Sequence, residues 1–435
     1  MDSWAQEIWK CAHCECAACD CVSDGGKVGM DVFFKNLGQT VLERWKRENF
    51  SLDKFPAIAR DALEKQPPSK QVKLEKLMRE FLLNDEQPNQ SHSGFGQPEI
   101  IAFEHPKFYI QLLFWMDGTT DIHQHEFSGA FHVMHGSSIH AHYQFDHAQS
   151  ITPHLRVGDV RMTKIELLEK GRTVPIISGR SCIHSLFHLD TPSVTVVVRT
   201  QHDPGTGPQF NYLPPHIALD PEFNDTLTMR RKQLLAVLEE SGDPGYAKLV
   251  REMIAEMDFE RGFYILQNCM GHLQGLGQWD AMLQVFQKKH KTLAAGIAAT
   301  LDEAVRRDTI KTFRSSVTDP EHRFFLALLM NVPTRTDLLT LVKQRFSKAK
   351  PVDTILRWTA ELAEVTDQGF AILDACFPEE LEVDIQEQSE LFIAAMRYFM
   401  QGGKGTASAL RILSGTQLNS LRAAFLDSSL RVLVA

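Results

Sequence analysis

Two histidines spaced two residues apart, His123 and His125 in DIHQH, are the side chains of this chain best suited to chemistry. Successive side chains on a β-strand alternate faces, so both imidazoles point the same way and make half of a metal site. The stretch before them, KFYIQLLFWMDG, reads as a strand ending in a turn at Asp117-Gly118. A third histidine, His184 in SGRSCIHSLFH, is followed by another β-rich run, SVTVVVRT. Three neutral imidazoles hold a first-row divalent metal and leave the rest of its coordination sphere open to small molecules. Eleven of the eighteen histidines fall between His123 and His202, a density that favours a real site over scattered surface residues. His140 and His142 in SSIHAHYQF form a rival pair on one strand face, opposite Ile139, Ala141, Tyr143 and Phe145. Solvent or a pocket wall suits that pair equally well. Glu126 has the wrong parity to join His123 and His125 and is expected in a supporting or surface position.

These motifs, in this order, resemble the cupin superfamily, and within it the thiol dioxygenases typified by cysteine dioxygenase. The resemblance rests on K-F-x-x-x-x-L-x-W from Lys107 to Trp115, then I-H-x-H, a strand closing at Gly136, and G-x-x-x-x-H from Gly179 to His184. It extends weakly to FSLDKFPAIARDALEK, covering residues 30–202. It implies a small antiparallel β-barrel (a double-stranded β-helix) with the metal at its mouth. The general cupin pattern has a Glu four or five residues after the second His, where this chain has Gly129 and Ala130. The likeness is therefore to the subclass with three His ligands, implying iron(II) on His123, His125 and His184. Zinc, nickel and manganese stay open as alternatives. Cysteine dioxygenases carry a substrate-clamping Arg just before the first strand, and PEIIAFEHPKF has none. Their catalytic Tyr falls near Arg199, the His two residues before it near Val197, and the Cys that crosslinks to the Tyr at Ala130. The cage is retained and the cysteine-recognition residues are not, so free cysteine is not the expected substrate.

On this reading the chain is an Fe(II)-dependent dioxygenase that oxidises a thiol, or another small metabolite, with O2. Arg199 is a candidate to bind a substrate carboxylate or phosphate at the mouth. His188 is a candidate to orient a ligand from behind. Tyr109, Gln111, Leu113 and Trp115 share a strand face and are expected either to wall the pocket or to fill core. The alternative is a non-catalytic metal-binding cupin, a sensor or scaffold whose helical half is the interaction module. A zinc or nickel cupin with isomerase or hydrolytic activity ranks third.

The elements that must position these residues define a multidomain α+β chain of 435 residues. Residues 1–29 read as a Cys-rich tail, with Cys11, Cys14, Cys16, Cys19 and Cys21. That tail is either disordered, an upstream-start extension, or a soft-metal segment, and lacks the spacer of a zinc finger. Residues 30–95 are expected to be helices packing on the barrel, 96–203 the barrel, and 204–219 a Pro/Gly linker. Residues 220–435 should form an all-helical domain. Its apolar stripes, such as Tyr246, Leu249, Val250, Met253, Ile254 and Met257, follow helical spacing. Asp-Pro pairs at Asp220, Asp243 and Asp319 read as N-cap followed by Pro at the first helical position. Nothing in this half has ligand-like spacing, so it is expected to bind a protein partner, to self-associate or to cap the neighbouring site. A net charge of −9 without a long basic run argues against nucleic acid. No apolar run approaches the ~20 residues that cross a bilayer, and isolated cysteines suit a reducing compartment, so a cytoplasmic location is expected.

Overall fold

The computed structural model describes residues 30–90, 95–116, 118–365, 381, 385–403, 410 and 413–435. The Cys-rich segment, Asp117 and Cys376 lie outside the described residues. The fold is mixed α+β, with N-terminal helices, a β-rich middle and a helical C-terminal region.

Helices α1 (Met30–Arg47), α2 (Phe55–Lys65), α3 (Pro68–Gln71) and α4 (Leu74–Leu83) come first. Phe33, Phe34, Leu37, Val41 and Trp45 recur at helical spacing along α1, and all are buried. Burying each such side chain contributes about 1.5–3 kcal/mol.

Eleven strands follow: β1 (Glu99–His105), β2 (Phe108–Trp115), β3 (Ile122–His125), β4 (Gly129–His135), β5 (Ser137–Ser150), β6 (Leu155–Glu169), β7 (Thr173–Ile176), β8 (Gly179–His188), β9 (Ser193–Thr200), β10 (Asn211–Leu213) and β11 (Ile217–Leu219). They form a five-stranded sheet, β1-β2-β9-β4-β7, and a closed antiparallel barrel, β10-β11-β6-β5-β8-β3. The runs FYIQLLFW and SVTVVVR are mostly apolar rather than alternating, because β2 and β9 are buried on both faces. Phe108, Ile110, Leu112 and Phe114, with Val194, Val196 and Val198, pack against the N-terminal helices. The alternate residues Gln111, Leu113, Trp115, Thr195 and Val197 face the barrel strands across a shared cavity.

Residues 204–219 are not a linker. β10 and β11 form a hairpin that pairs with β3 on one side and β6 on the other, closing the barrel. Each strand is three residues long and flanked by prolines, too short to show a period of two. The β region therefore runs to Leu219.

Helices from α5 (Thr226–Glu240) to α15 (Arg431–Val434) complete the described chain. Among them α9 (Ile297–Ser316) and α10 (Pro320–Asn331) lie against the barrel. One apolar cluster joins Ile139 of β5 and Phe187 of β8 to Ile310, Phe313, Phe324 and Trp358. Another joins Leu155, Val157 and Ile217 to Val250, Phe263 and Phe286. Of the three Asp-Pro pairs only Asp319 caps a helix, accepting from the Glu321 and His322 amides. Asp225 caps α5 instead of Asp220, and Asp243 binds the Gly245 amide in the turn before α6 (Tyr246–Glu256).

Gly129, where β4 crosses β9, admits no side chain. A Cβ there would stand 2.0 Å from the Val198 carbonyl oxygen and 2.9 Å from the Arg199 Cα. Gly129→Ala is expected to cost about 1–3 kcal/mol, read as a lowered urea midpoint. An unchanged midpoint would show that the two strands slide apart freely.

Candidate metal centre

β3 is only four residues long, but its pairing fixes the site. His123 lies directly opposite His184 on β8, and His125 is two residues further along the same face. One donor nitrogen from each of His123, His125 and His184 lies within 4.8 Å of the other two. His125 Nε2 and His184 Nε2 are 2.8 Å apart. Nitrogens bound to one metal at about 2.0–2.1 Å sit roughly 3 Å from each other, so the spacing matches a shared ion. All three rings are at most 5% exposed. His123 Nδ1 donates to the Asp121 carbonyl at 2.8 Å, since a carbonyl only accepts. Its Nε2 therefore carries a lone pair, and that buried atom has no hydrogen-bond partner. Burial pushes His123 below the usual histidine range and His125 and His184 well below it, the neighbouring imidazoles adding to the effect on the latter two. The trio is neutral at physiological pH, the state in which imidazole binds metal.

The cavity beside the trio has a volume of about 40 Å³. A water needs on the order of 10–15 Å³ measured this way, so the space admits about three or four ligands of water size. Trp115, Phe127, Phe131, Leu186 and Val197 give it apolar walls. Gln111 also lines it, with a buried Oε1 that has no partner. Phe95 lies over Trp115 at 5.3 Å between ring centroids and near His123 at 6.3 Å. Gln111, Leu113 and Trp115 thus wall the cavity, whereas Tyr109 does not line it.

Two further candidates sit elsewhere than expected. The Arg199 guanidinium lies 3.3 Å from the centroid of Phe127 and donates to the Thr200 and Gln201 carbonyls. Phe127 in turn packs on His125, so this ring stands between Arg199 and the trio. Arg199 is not among the cavity-lining residues. His188 does not orient His184 either. Its Nδ1 meets Ser138 Oγ at 3.0 Å and its ring stacks on Trp115 at 4.7 Å. Burial, aided by Arg314, pushes it down to about 3. Glu126 faces away and pairs with His202 at 3.3 Å.

The residue that does reach His184 is His140, from the rival pair. His140 Nε2 is 2.8 Å from His184 Nδ1. His140, His142 and Glu166 form a second group of donor atoms within 4.8 Å of one another. The His140–His184 contact follows from β5 and β8 lying side by side, a register that no local spacing encodes.

A larger cleft, about 1000 Å³, opens between Asp121, Tyr212 and helix α9. No described histidine or cysteine lines it, so the described residues there offer none of the donors that mark the smaller cavity. No protein-family model matches this chain, and no curated protein matches it either. The geometry alone carries the functional argument.

Proposed function

We propose that this chain is a mononuclear non-haem iron dioxygenase of the cupin type, similar at its site to the thiol dioxygenases. The observation that carries the reading is the convergence of three buried, neutral imidazoles on a small apolar cavity. Gly129 supports the three-His subclass, because a carboxylate at that position would collide with β9. Ala130, the other position open to a ligand Glu, faces the N-terminal helices.

Ferrous iron, when bound, supplies redox chemistry with dioxygen and a positive charge that favours thiolate over thiol. The protein's own groups do the rest. The aromatic walls exclude bulk water from the reacting sulfur. Gln111 Oε1 accepts a hydrogen bond from an N–H or O–H of the substrate. Among the described residues the cavity lining contains no Lys or Arg, so no cation there pairs with a substrate carboxylate. The favoured substrate is a small neutral or amine-bearing thiol, and the balanced reaction is RSH + O2 → RSO2H.

An oxygen electrode with iron(II)-loaded protein and a thiol panel tests this. Uptake of one O2 per thiol, faster for an aminothiol than for cysteine, with product 32 mass units heavier, is the expected result. Absence of uptake with every thiol would retire the oxygenase reading.

A sensor role is the second reading, favoured by one set of contacts. Lys311 of α9 pairs with Asp121 at 2.5 Å, and the Asp121 carbonyl holds His123. Arg314 of the same helix donates to the His188 carbonyl at 3.0 Å. Metal-dependent changes in hydrogen exchange along α9, without turnover, would select that reading.

A further inference from the structure

The donors described above continue beyond the trio as a row across four adjacent strands. His123 on β3 faces His184 on β8, which faces His142 on β5. His140 on β5 faces Glu166 on β6, and His142 faces Lys164. Paired residues of antiparallel strands share a face, so one sheet surface carries this whole row from the cavity to solvent.

Their contacts have a direction. Glu166 Oε1 is 2.8 Å from Lys164 Nζ and 3.3 Å from His142 Nε2. It lies 3.6 Å from His140 Nδ1, a close electrostatic contact rather than a full hydrogen bond. A carboxylate only accepts, so a proton on His140 is favoured at Nδ1, which leaves Nε2 as the acceptor. His184 Nδ1, 2.8 Å from that Nε2, must then be the donor. The lone pair of His184 is left on Nε2, the atom that faces His125.

We infer that Glu166, acting through His140, is a positioning residue that fixes His184 in its Nδ1–H tautomer and aims the Nε2 lone pair at the metal cavity. The purpose of this relay rests on the metal-centre reading, but its geometry does not. The group His140, His142 and Glu166 is the end of the relay and not a second ion site. Lys164 already sits on its only carboxylate and would repel a second cation.

The test reads the tautomer directly, by long-range ¹⁵N–¹H spectra of the histidine rings in the metal-free full-length chain. His184 is expected as a single Nδ1–H form in the parent chain. Glu166→Ala should populate the Nε2–H form, while Glu166→Gln, whose amide oxygen still accepts, should largely restore the parent spectrum. In parallel, cobalt(II) titration should show affinity ten- to a hundred-fold weaker in Glu166→Ala and less reduced in Glu166→Gln. An unchanged His184 tautomer in Glu166→Ala overturns the relay, whatever the metal does. If the parent chain takes up no cobalt while the tautomer still responds to Glu166, the relay stands and the metal-centre reading falls.

Discussion

The His184→Ala chain, purified without chelator, should carry less than a tenth of the metal found on the parent. His184 is the only residue of the trio in contact with both another donor, His125, and the supporting His140. Structural zinc binding is worth about 10–16 kcal/mol over four ligands, so one lost donor costs roughly 3 kcal/mol, or a factor of a hundred or more. Plasma mass spectrometry on the purified protein measures this. Two controls sharpen it. Arg199→Met should keep the full complement, because Phe127 separates that guanidinium from the ligands. His142→Ala should keep it as well, since His142 touches Glu166 and not the cavity. Full metal content in His184→Ala would move the ion to another set of donors and break the ligand assignment.

The metal-free protein should lose stability steeply as the pH falls from 7 to 5.5. His132 and His188 are fully buried. His132 is held by Thr173 Oγ1 and Ser69 Oγ, each at 2.8 Å. Burial lowers it to about 4, and burial with Arg314 lowers His188 to about 3. In the unfolded chain both take up a proton near pH 6.5, while in the folded chain they stay neutral. The unfolded state thus binds more protons throughout this window, and stability falls with pH. The contribution is fully present above pH 6.5 and is lost progressively down to the folded values. Each group costs about 1 kcal/mol between pH 7 and 5.5, a sizeable share of an ordinary folding free energy. Urea midpoints at the two pH values measure the slope, and His188→Gln should flatten it. A midpoint indifferent to pH would mean that these rings titrate in the folded protein as they do in the unfolded chain.

The site was legible in the sequence to the extent that it follows from the period of two. His123 and His125 share a face for that reason alone, and the wall formed by Gln111, Leu113 and Trp115 obeys the same alternation. The helical half was legible as apolar stripes, because Tyr246, Val250 and Ile254 sit on the buried side of one helix. Contacts set by strand order were not. His140 reaches His184 only because β5 and β8 are neighbours, although 44 residues separate them in the chain. His188 shares a face with His184 but meets Trp115 and Ser138 first. Arg199 has the right parity and is screened by Phe127, a ring from the loop after β3 that strand spacing does not place. The Asp-Pro pairs marked a helix start only once, at Asp319.

The hairpin of β10 and β11 has a consequence for how this chain can be divided. Asn211 of β10 is paired with His123 itself, and Ile217 of β11 lies in the apolar cluster beneath α6 and its neighbours. A shortened chain that stops at residue 203 would leave β3 as a ragged, four-residue border with its ladder half unpaired. The hairpin thus belongs both to the ladder that carries the histidines and to one of the two apolar clusters that join barrel and helices. Any boundary that preserves the histidine centre must fall beyond Leu219.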